Sequence, residues 1–71
     1  MEDFFEHMAD VLEVPRVAPG DDFRATPAWS SLAAFSLLVM IEQRYGRRLS
    51  AEDVASCRTA ADLAAAAGAA P

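Results

Sequence analysis

The chain has 71 residues, and its eleven acidic residues against six arginines give a net charge of −5. A chain of this length forms one domain, which buries only about 60% of the surface that the unfolded chain exposes. Its single small core leaves little room for an enclosed active site, which favours a module that other proteins act upon over an enzyme. The negative charge argues against nucleic acid as a partner, because such binding needs cationic side chains that displace counterions from phosphates.

Cysteine content and hydropathy favour a location in a reducing compartment, away from the membrane. The single cysteine, Cys57, excludes an intramolecular disulfide framework and fits a reducing environment. No apolar run approaches the ~18 residues of a membrane span, and Met1-Glu2-Asp3 is acidic where a signal peptide is basic. We therefore expect a cytoplasmic monomer, a single domain over residues 1–71, and no membrane among its partners.

The first predicted element is an amphipathic helix over residues 2–14, stopped by Pro15. Acidic residues fill much of the surface that its apolar residues leave free. We interpret this acidic face as solvated surface, with docking to a partner as the alternative. The apolar positions with helical spacing are Phe4, Phe5, Met8, Val11 and Leu12.

Residues 15–30 are rich in proline, glycine and aspartate, and they predict a long loop. Three large apolar side chains, Val17, Phe23 and Trp29, are available to pack this loop down. We interpret Trp29 as a hydrophobic anchor, with a substrate-stacking role as the alternative.

The central element is a helix over residues 31–45, closed by Gly46. Ser30 and Ser31 stand at its start, where a hydroxyl is presented beside backbone N–H groups that have no partner within the helix. The stripe predicted to face the core is Ala34, Leu37, Leu38, Ile41 and Tyr45.

Two shorter helices follow, each with the same start signal. Ser50 with Asp53 begins a short helix near 51–57, and Thr59 with Asp62 begins a last helix near 59–67 that Gly68 ends. The prediction is an all-α, four-helix bundle of three longer helices and a short third one, with a long loop between the first two. We expect Cys57 to be a small buried hydrophobe rather than a reactive thiol.

The order and spacing of these segments resemble the acyl and peptidyl carrier protein family. The similarity runs from about Asp22 to Leu63 and is greatest to free-standing carriers with a Trp-Asp-Ser-Leu motif. It rests on Ser31-Leu32, a helix of this length, Gly46, Arg47-Arg48-Leu49, Ser50-Ala51-Glu52-Asp53-Val54 and Arg58-Thr59-Ala60-Ala61-Asp62-Leu63.

The resemblance implies that a magnesium-dependent phosphopantetheinyl transferase attaches 4'-phosphopantetheine from coenzyme A to a serine. Counting back from Tyr45-Gly46 aligns Ser31 with that serine. Ser31 would then be an attachment point, and the thiol of the arm would hold acyl or aminoacyl groups as thioesters. The implied partners are acyl-loading, condensing or transferring enzymes of polyketide, fatty-acid or nonribosomal-peptide-type biosynthesis.

One position departs from the family pattern, because Ser30 stands where the family has an aspartate. In the family that acid takes part in recognition by the transferase and lies near its magnesium. The departure motivates an alternative reading, in which the chain is a carrier-like interaction module that is never modified.

We expect partners to meet the exposed face of the central helix and the loop before it. Glu42 is the one acid on this face, so the hypothesis is that Val39 and Met40 make apolar contacts that outweigh charge. The alternative is that both residues extend the core stripe. The predicted partner-binding residues are Ser30, Leu32, Ala33, Ser36, Val39, Met40 and Gln43.

Other chemistry has little support in the sequence. His7 and the serines do not make a hydrolytic triad, because no Gly-x-Ser-x-Gly turn surrounds either serine. One histidine and one cysteine without ligand spacing do not make a zinc site. A DNA-binding helical domain would use Arg44, Arg47 and Arg48, and the overall acidity argues against it.

Overall fold

The computed structural model describes residues 2–69, so Met1, Ala70 and Pro71 of the predicted domain lie outside the described residues. The described chain contains four α-helices and no strand, which confirms the predicted all-α fold. Within it, no helix is both long enough and apolar enough to span a bilayer. The helices are α1 (Glu2–Leu12), α2 (Ser31–Tyr45), α3 (Ala51–Ser56) and α4 (Ala60–Ala66).

The core lies where α1 meets α2 and α4, while α3 packs against α2. Fully burying a side chain of the size of leucine or phenylalanine contributes about 1.5–3 kcal/mol relative to leaving it exposed. The alanines of α4 fill the space close to its backbone, and Ala60, Ala64 and Ala67 are fully buried. The largest fully buried side chains are Phe4, Met8, Leu12, Phe23, Leu37, Ile41 and Leu63.

Helix α1 ends at Leu12, two residues before the predicted end at Val14. Glu13 adopts a left-handed conformation with φ of 58°. Its N–H donates to the Asp10 carbonyl at 3.3 Å, and the Val14 N–H donates to the Ala9 carbonyl at 3.1 Å. This is a Schellman ending with a glutamate at the position that glycine usually occupies. The turn at Glu13, rather than Pro15, therefore stops the helix.

Helix α2 has the predicted bounds, and Gly46 closes it in the left-handed conformation with φ of 68°. Its buried face differs from the predicted stripe, because Ala34, Leu38 and Tyr45 are only half-buried. The helix is apolar on nearly every side, so the period of its apolar residues does not select one face. The buried residues of α2 are Ala33, Leu37, Met40 and Ile41.

Helices α3 and α4 both begin with a capping box, as predicted. The Ser50 hydroxyl accepts from the Asp53 N–H at 3.2 Å, and the Asp53 carboxylate accepts from the Ser50 N–H at 2.8 Å. Thr59 and Asp62 repeat this exchange at 3.2 Å in both directions. Helix α3 ends one residue before the predicted Cys57, and Thr59 is the cap of α4 rather than its first residue.

The loop between α1 and α2 contains one turn of 3₁₀ helix, Phe23–Ala25, which was not predicted. Phe23 is fully buried, and the half-buried Trp29 meets its ring edge-on with 5.6 Å between ring centroids. The interpretation of Trp29 as an anchor is therefore confirmed. The loop thus reaches the start of α2 with two aromatic rings fixed against the core.

Three backbone carbonyls join this loop to the later helices. At the start of α4, the Ala60 N–H donates to the Asp21 carbonyl at 2.9 Å and the Ala61 N–H donates to the Pro19 carbonyl at 2.8 Å. Near the end of α3, the Arg24 guanidinium donates to the carbonyl of Ala55 at 2.9 Å. The segment that precedes α2 is therefore held by both α3 and α4.

Candidate functional site

The start of α2 is fixed by Ser30, which is the N-cap residue. Its backbone is extended, with φ of −162° and ψ of 174°. The Ser30 hydroxyl accepts a hydrogen bond from the Ala33 N–H at 3.1 Å, and the Ser30 carbonyl accepts one from the Ala34 N–H at 3.0 Å. This is the arrangement that makes serine a favourable cap, and it engages the Ser30 hydroxyl.

Ser31 is the first residue of α2, and its side chain is exposed. Among residues 2–69 no group hydrogen-bonds to the Ser31 hydroxyl, and the backbone N–H groups of Ser31 and Leu32 have no acceptor within the helix. Free N–H donors and the positive end of a helix of 15 residues favour an anion at this point. The residues therefore fit a phosphate ester on the Ser31 hydroxyl, with open space for a long substituent.

Two grooves are lined by residues close to this serine in the chain: Leu32 lines one, and Trp29 lines the other. The α1–α2 groove has a volume of about 450 Å³ and runs along α2 from Leu32 and Phe35 to Gln43, with His7 and Val11 of α1 on its opposite wall. Its floor includes Met40, and Asp10 lies at its α1 edge.

The α2–α3 groove is smaller, at about 230 Å³, and Ser31 lines neither groove. The smaller groove is lined by Trp29 and Arg24 of the loop, Ala34 and Leu38 of α2, and part of α3. A third and larger cavity of about 840 Å³ lies between α1 and the first part of the loop, and no residue of α2 lines it.

The structure divides the predicted partner-binding residues into two groups. Leu32 and Gln43 are exposed, and Ser36 and Val39 are half-buried along the same face of α2. Ala33 and Met40 lie in the core instead, with only 7% and 8% of their surfaces exposed. This corrects the prediction of both as partner-binding surface, because they are on the side of α2 that packs against the other helices, and for Met40 it supports the alternative that the residue extends the core stripe.

Phe35 was not among the predicted site residues, although 62% of its surface is exposed. It lies between Leu32 and Val39 at spacings of three and four, so the three form an apolar row along one side of α2. A signal for this row was present in the sequence. The spacing Leu32-Phe35-Val39 has the same helical period as the stripe that was assigned to the core.

Charged side chains of both signs lie near this row, because Asp10 of α1 and Arg44 of α2 line the same groove. Asp3, Glu6 and Asp10 are exposed along one edge of α1, and we call them the acidic crest. Within the described chain no arginine forms an ion pair with any residue of this crest. On α2, Glu42 pairs with the Arg48 guanidinium at 3.1 Å, so its charge is partly balanced.

The remaining chemical groups are used in packing. Cys57 is buried, and its thiol donates to the Asp53 carbonyl at 3.3 Å. Burial raises the pKa of the Cys57 thiol, and the carboxylates of Asp62 and Asp53 raise that pKa further. Among the described residues, no hydrogen bond joins His7 to Ser30 or Ser31 and no three acidic, cysteine or histidine side chains are grouped to hold a metal ion.

The chain was compared with protein families, with curated proteins and with solved structures. The family model described as "Phosphopantetheine attachment site" matches residues 2–67. This match includes all four helices and the loop before α2. No curated protein and no solved structure gave a significant match.

Proposed function

Since this chain belongs to the phosphopantetheine attachment family, we propose that it is a carrier protein with its prosthetic group on Ser31. The group of this family is 4'-phosphopantetheine, and its domains generally carry substrates rather than transform them. The observation that supports Ser31 most is its exposed hydroxyl at the first position of α2, beside N–H groups without intrahelical partners.

The neighbouring Ser30 is the competing attachment point, and its geometry argues against it. The Ser30 hydroxyl accepts the 3.1 Å hydrogen bond from Ala33 that caps α2. An ester at that oxygen would disturb the cap, whereas an ester on Ser31 leaves it intact. The two serines thus have separate tasks, one holding the helix and one bearing the group.

When bound, the group supplies a flexible arm whose terminal thiol holds acyl or aminoacyl units as thioesters. The protein contributes a fixed base for that arm. The N–H groups of Ser31 and Leu32 have no acceptor within the helix and would favour the negative charge of an attached phosphate. Trp29 and Phe23 hold the loop against the core, which keeps the backbone on the N-terminal side of Ser31 in place.

The proposed partners are a phosphopantetheinyl transferase and the acyl-loading, condensing or transferring enzymes of a polyketide, fatty-acid or nonribosomal-peptide-type pathway. They would meet the face of α2 that presents Leu32, Ser36, Val39 and Gln43, and we include Phe35 in this face because it is exposed beside them. We further propose that the protein works in the cytoplasm, where a reducing environment suits the free thiol of the arm.

Intact-protein mass tests this proposal after incubation with coenzyme A, magnesium and a broad-specificity phosphopantetheinyl transferase. We expect one added phosphopantetheine on the natural chain and on Ser30→Ala, and none on Ser31→Ala. Circular dichroism would check that both variants remain helical. Addition to Ser31→Ala would move the site to another residue and overturn the assignment.

The second candidate is an interaction module that keeps this fold and is never modified. The observation that favours it is the neutral Ser30 in place of the family's aspartate. The variant Ser30→Asp separates the two candidates. If neither the natural chain nor Ser30→Asp gains mass while both are folded, the unmodified module is the better description.

A further inference from the structure

Helix α3 has six residues, too few to be stable on their own, so it depends on contacts with the rest of the chain. Val54 is the residue that it buries, and none of the residues Ala51–Ser56 is basic. The last carbonyls of a helix lack partners within it and carry a partial negative charge. The C-terminal end of α3 therefore needs donors, and a positive charge there would be favourable.

The last carbonyls of α3 have donors of two kinds. The Val54 carbonyl accepts a local hydrogen bond from the Cys57 N–H at 3.2 Å. The Ala55 carbonyl accepts instead from Nη1 of Arg24 in the loop at 2.9 Å, across 31 positions of the chain. Arg24 thus provides, from outside the helix, the donor and the positive charge that suit the end of α3.

Arg24 is itself held in place on the loop. Its backbone N–H donates to the Asp22 carboxylate at 3.0 Å, and the same carboxylate lies 3.9 Å from its Nε. Its guanidinium carbon lies 5.8 Å from the centre of the Phe23 ring, which is fully buried. The Arg24 side chain is therefore fixed at its base by the anchored part of the loop and at its tip by α3.

The loop that carries Arg24 leads directly to Ser31. Trp29, two residues before that serine, lines the α2–α3 groove together with Arg24 of the loop and Ala55 of α3. Helix α3 and the segment before Ser31 are thus neighbours in one groove, and the bond from Arg24 to Ala55 joins them.

We propose that Arg24 is a positioning residue for the loading of Ser31, because its bond to the Ala55 carbonyl keeps α3 and the segment before Ser31 in one arrangement. The inference rests on the proposed carrier function and adds a residue that acts through the loop. Without the bond, α3 samples several arrangements, and a transferase binds only the fraction that fits it, so the apparent affinity falls by that fraction. The Ser30–Ala33 bond that starts α2 does not involve Arg24, so the reacting hydroxyl is presented as before.

Loading kinetics test this proposal, with coenzyme A, magnesium and the broad-specificity transferase. Arg24→Ala should raise the KM for the carrier about fivefold, the effect of losing one hydrogen bond, and leave kcat within about twofold. Arg24→Lys keeps the positive charge and a donor, so it should restore part of the lost affinity. Arg16→Ala is the matched control, because it removes an exposed arginine from the same loop. Its KM should equal that of the natural chain.

Amide hydrogen exchange reports on α3 separately from loading. The Val54 N–H donates to the Ser50 carbonyl and the Cys57 N–H to the Val54 carbonyl. In Arg24→Ala both should exchange about fivefold faster, while the amides of α1 and α4 keep their natural rates. Arg16→Ala should leave all of these rates unchanged.

Three results would overturn the proposal. An unchanged KM for Arg24→Ala would make its bond a packing contact without a role in loading. A raised KM with exchange that is equally faster in α1 would show a general loss of stability. An equal rise for Arg16→Ala would show an effect of charge alone.

The same experiment separates this inference from the proposed function. If the natural chain is folded and gains no phosphopantetheine, the proposed function fails. If the natural chain loads on Ser31 and Arg24→Ala loads with the same KM, this inference alone is removed.

Discussion

The Ser30 hydroxyl accepts a hydrogen bond from the Ala33 N–H at 3.1 Å, and this bond makes Ser30 the cap of α2. Aspartate is an equally good cap, so the exchange of the family's aspartate for serine keeps the helix start and removes one negative charge. The exchange therefore changes the charge next to Ser31, to which a transferase would respond, and leaves the structure of the helix start unchanged. Substitutions at this position can test the two contributions independently.

We expect Ser30→Asp to speed the modification of Ser31, because it restores an acid without losing the cap. Ser30→Asn is the matched control, since asparagine caps equally well and carries no charge. Ser30→Ala should lower the free energy of unfolding by about 1 kcal/mol. Modification rates come from intact mass against time, and equal rates for the aspartate and asparagine variants would contradict the role assigned to the charge.

Glu13 adopts a left-handed conformation in the turn after α1, a conformation that suits glycine better. A left-handed conformation costs an L-residue about 1–2 kcal/mol, and glycine avoids that strain while losing about 0.5–1 kcal/mol through backbone entropy. Glu13→Gly should therefore raise the free energy of unfolding by about 0.5 kcal/mol. Urea denaturation measures the change, with Glu13→Ala as the control that keeps the strain. Equal stability of the two variants would mean that the turn is not strained.

Two glycines in the left-handed conformation provide a matched pair. A Cβ at Gly46 would meet nothing within 4 Å, whereas one at Gly68 would lie 3.2 Å from Nη2 of Arg47. Alanine at either position should lower the free energy of unfolding by about 1 kcal/mol from backbone strain. We expect the loss at Gly68 to be larger, because the Arg47 side chain must also move.

A double-mutant cycle isolates that contact. In an Arg47→Ala background the penalties for Gly46→Ala and Gly68→Ala should become similar, as measured by denaturant unfolding. A difference that persists without the guanidinium would show that contact with Arg47 is not its cause.

Asp62 makes stability depend on pH. The backbone N–H groups of Arg58 and Thr59 donate to its carboxylate and hold the pKa of Asp62 below its usual value. A carboxylate with a lowered pKa in the folded state stabilises the protein above its unfolded-state pKa, and this stabilisation is lost as the pH falls through the folded-state pKa. Stability should therefore fall on acidification, partly through Asp62.

The test is urea denaturation at neutral pH and at a pH below the usual aspartate range. Asp62→Asn should be less stable than the natural chain at neutral pH and should lose less stability on acidification. An unchanged slope of stability against pH would exclude Asp62 as a contributor.

On the face of α2 that is proposed to meet partners, an apolar residue, Val39, can be compared with a charged one, Glu42. Val39→Asp should lower turnover by a partner enzyme about tenfold, because a contact with this row would bury an unpaired carboxylate. Glu42→Gln should have a smaller effect, since that side chain already pairs with Arg48. Turnover of the loaded carrier is the measurement, and circular dichroism confirms that both variants fold. Equal turnover would show that apolar contact at Val39 does not govern recognition.

The helices were predictable because their signals are local. Ser50 with Asp53 and Thr59 with Asp62 lie three residues apart, and each pair makes the capping box that its sequence indicates. Gly46 and Gly68 adopt the left-handed conformation that glycine favours. Such signals need no knowledge of tertiary contacts.

The parts that the sequence left undetermined depend on tertiary contacts. Since α2 has apolar residues on opposite sides, which side faces the core depends on how α1 packs against it. For that reason Met40 is buried, as the alternative interpretation of that residue has it, and Phe35, for which no prediction was made, is exposed. The end of α1 is similar, because no propensity marks Glu13 for a left-handed turn.

The hydrogen bonds from Ala60 and Ala61 to the loop carbonyls of Asp21 and Pro19 have a thermodynamic consequence for recognition. A loop tied to another helix has already lost its conformational entropy on folding. A partner that docks at Ser31 therefore meets a surface whose backbone is already ordered, and association spends little free energy on immobilising it. Affinity at this site then depends mainly on the side chains that the two proteins present to each other.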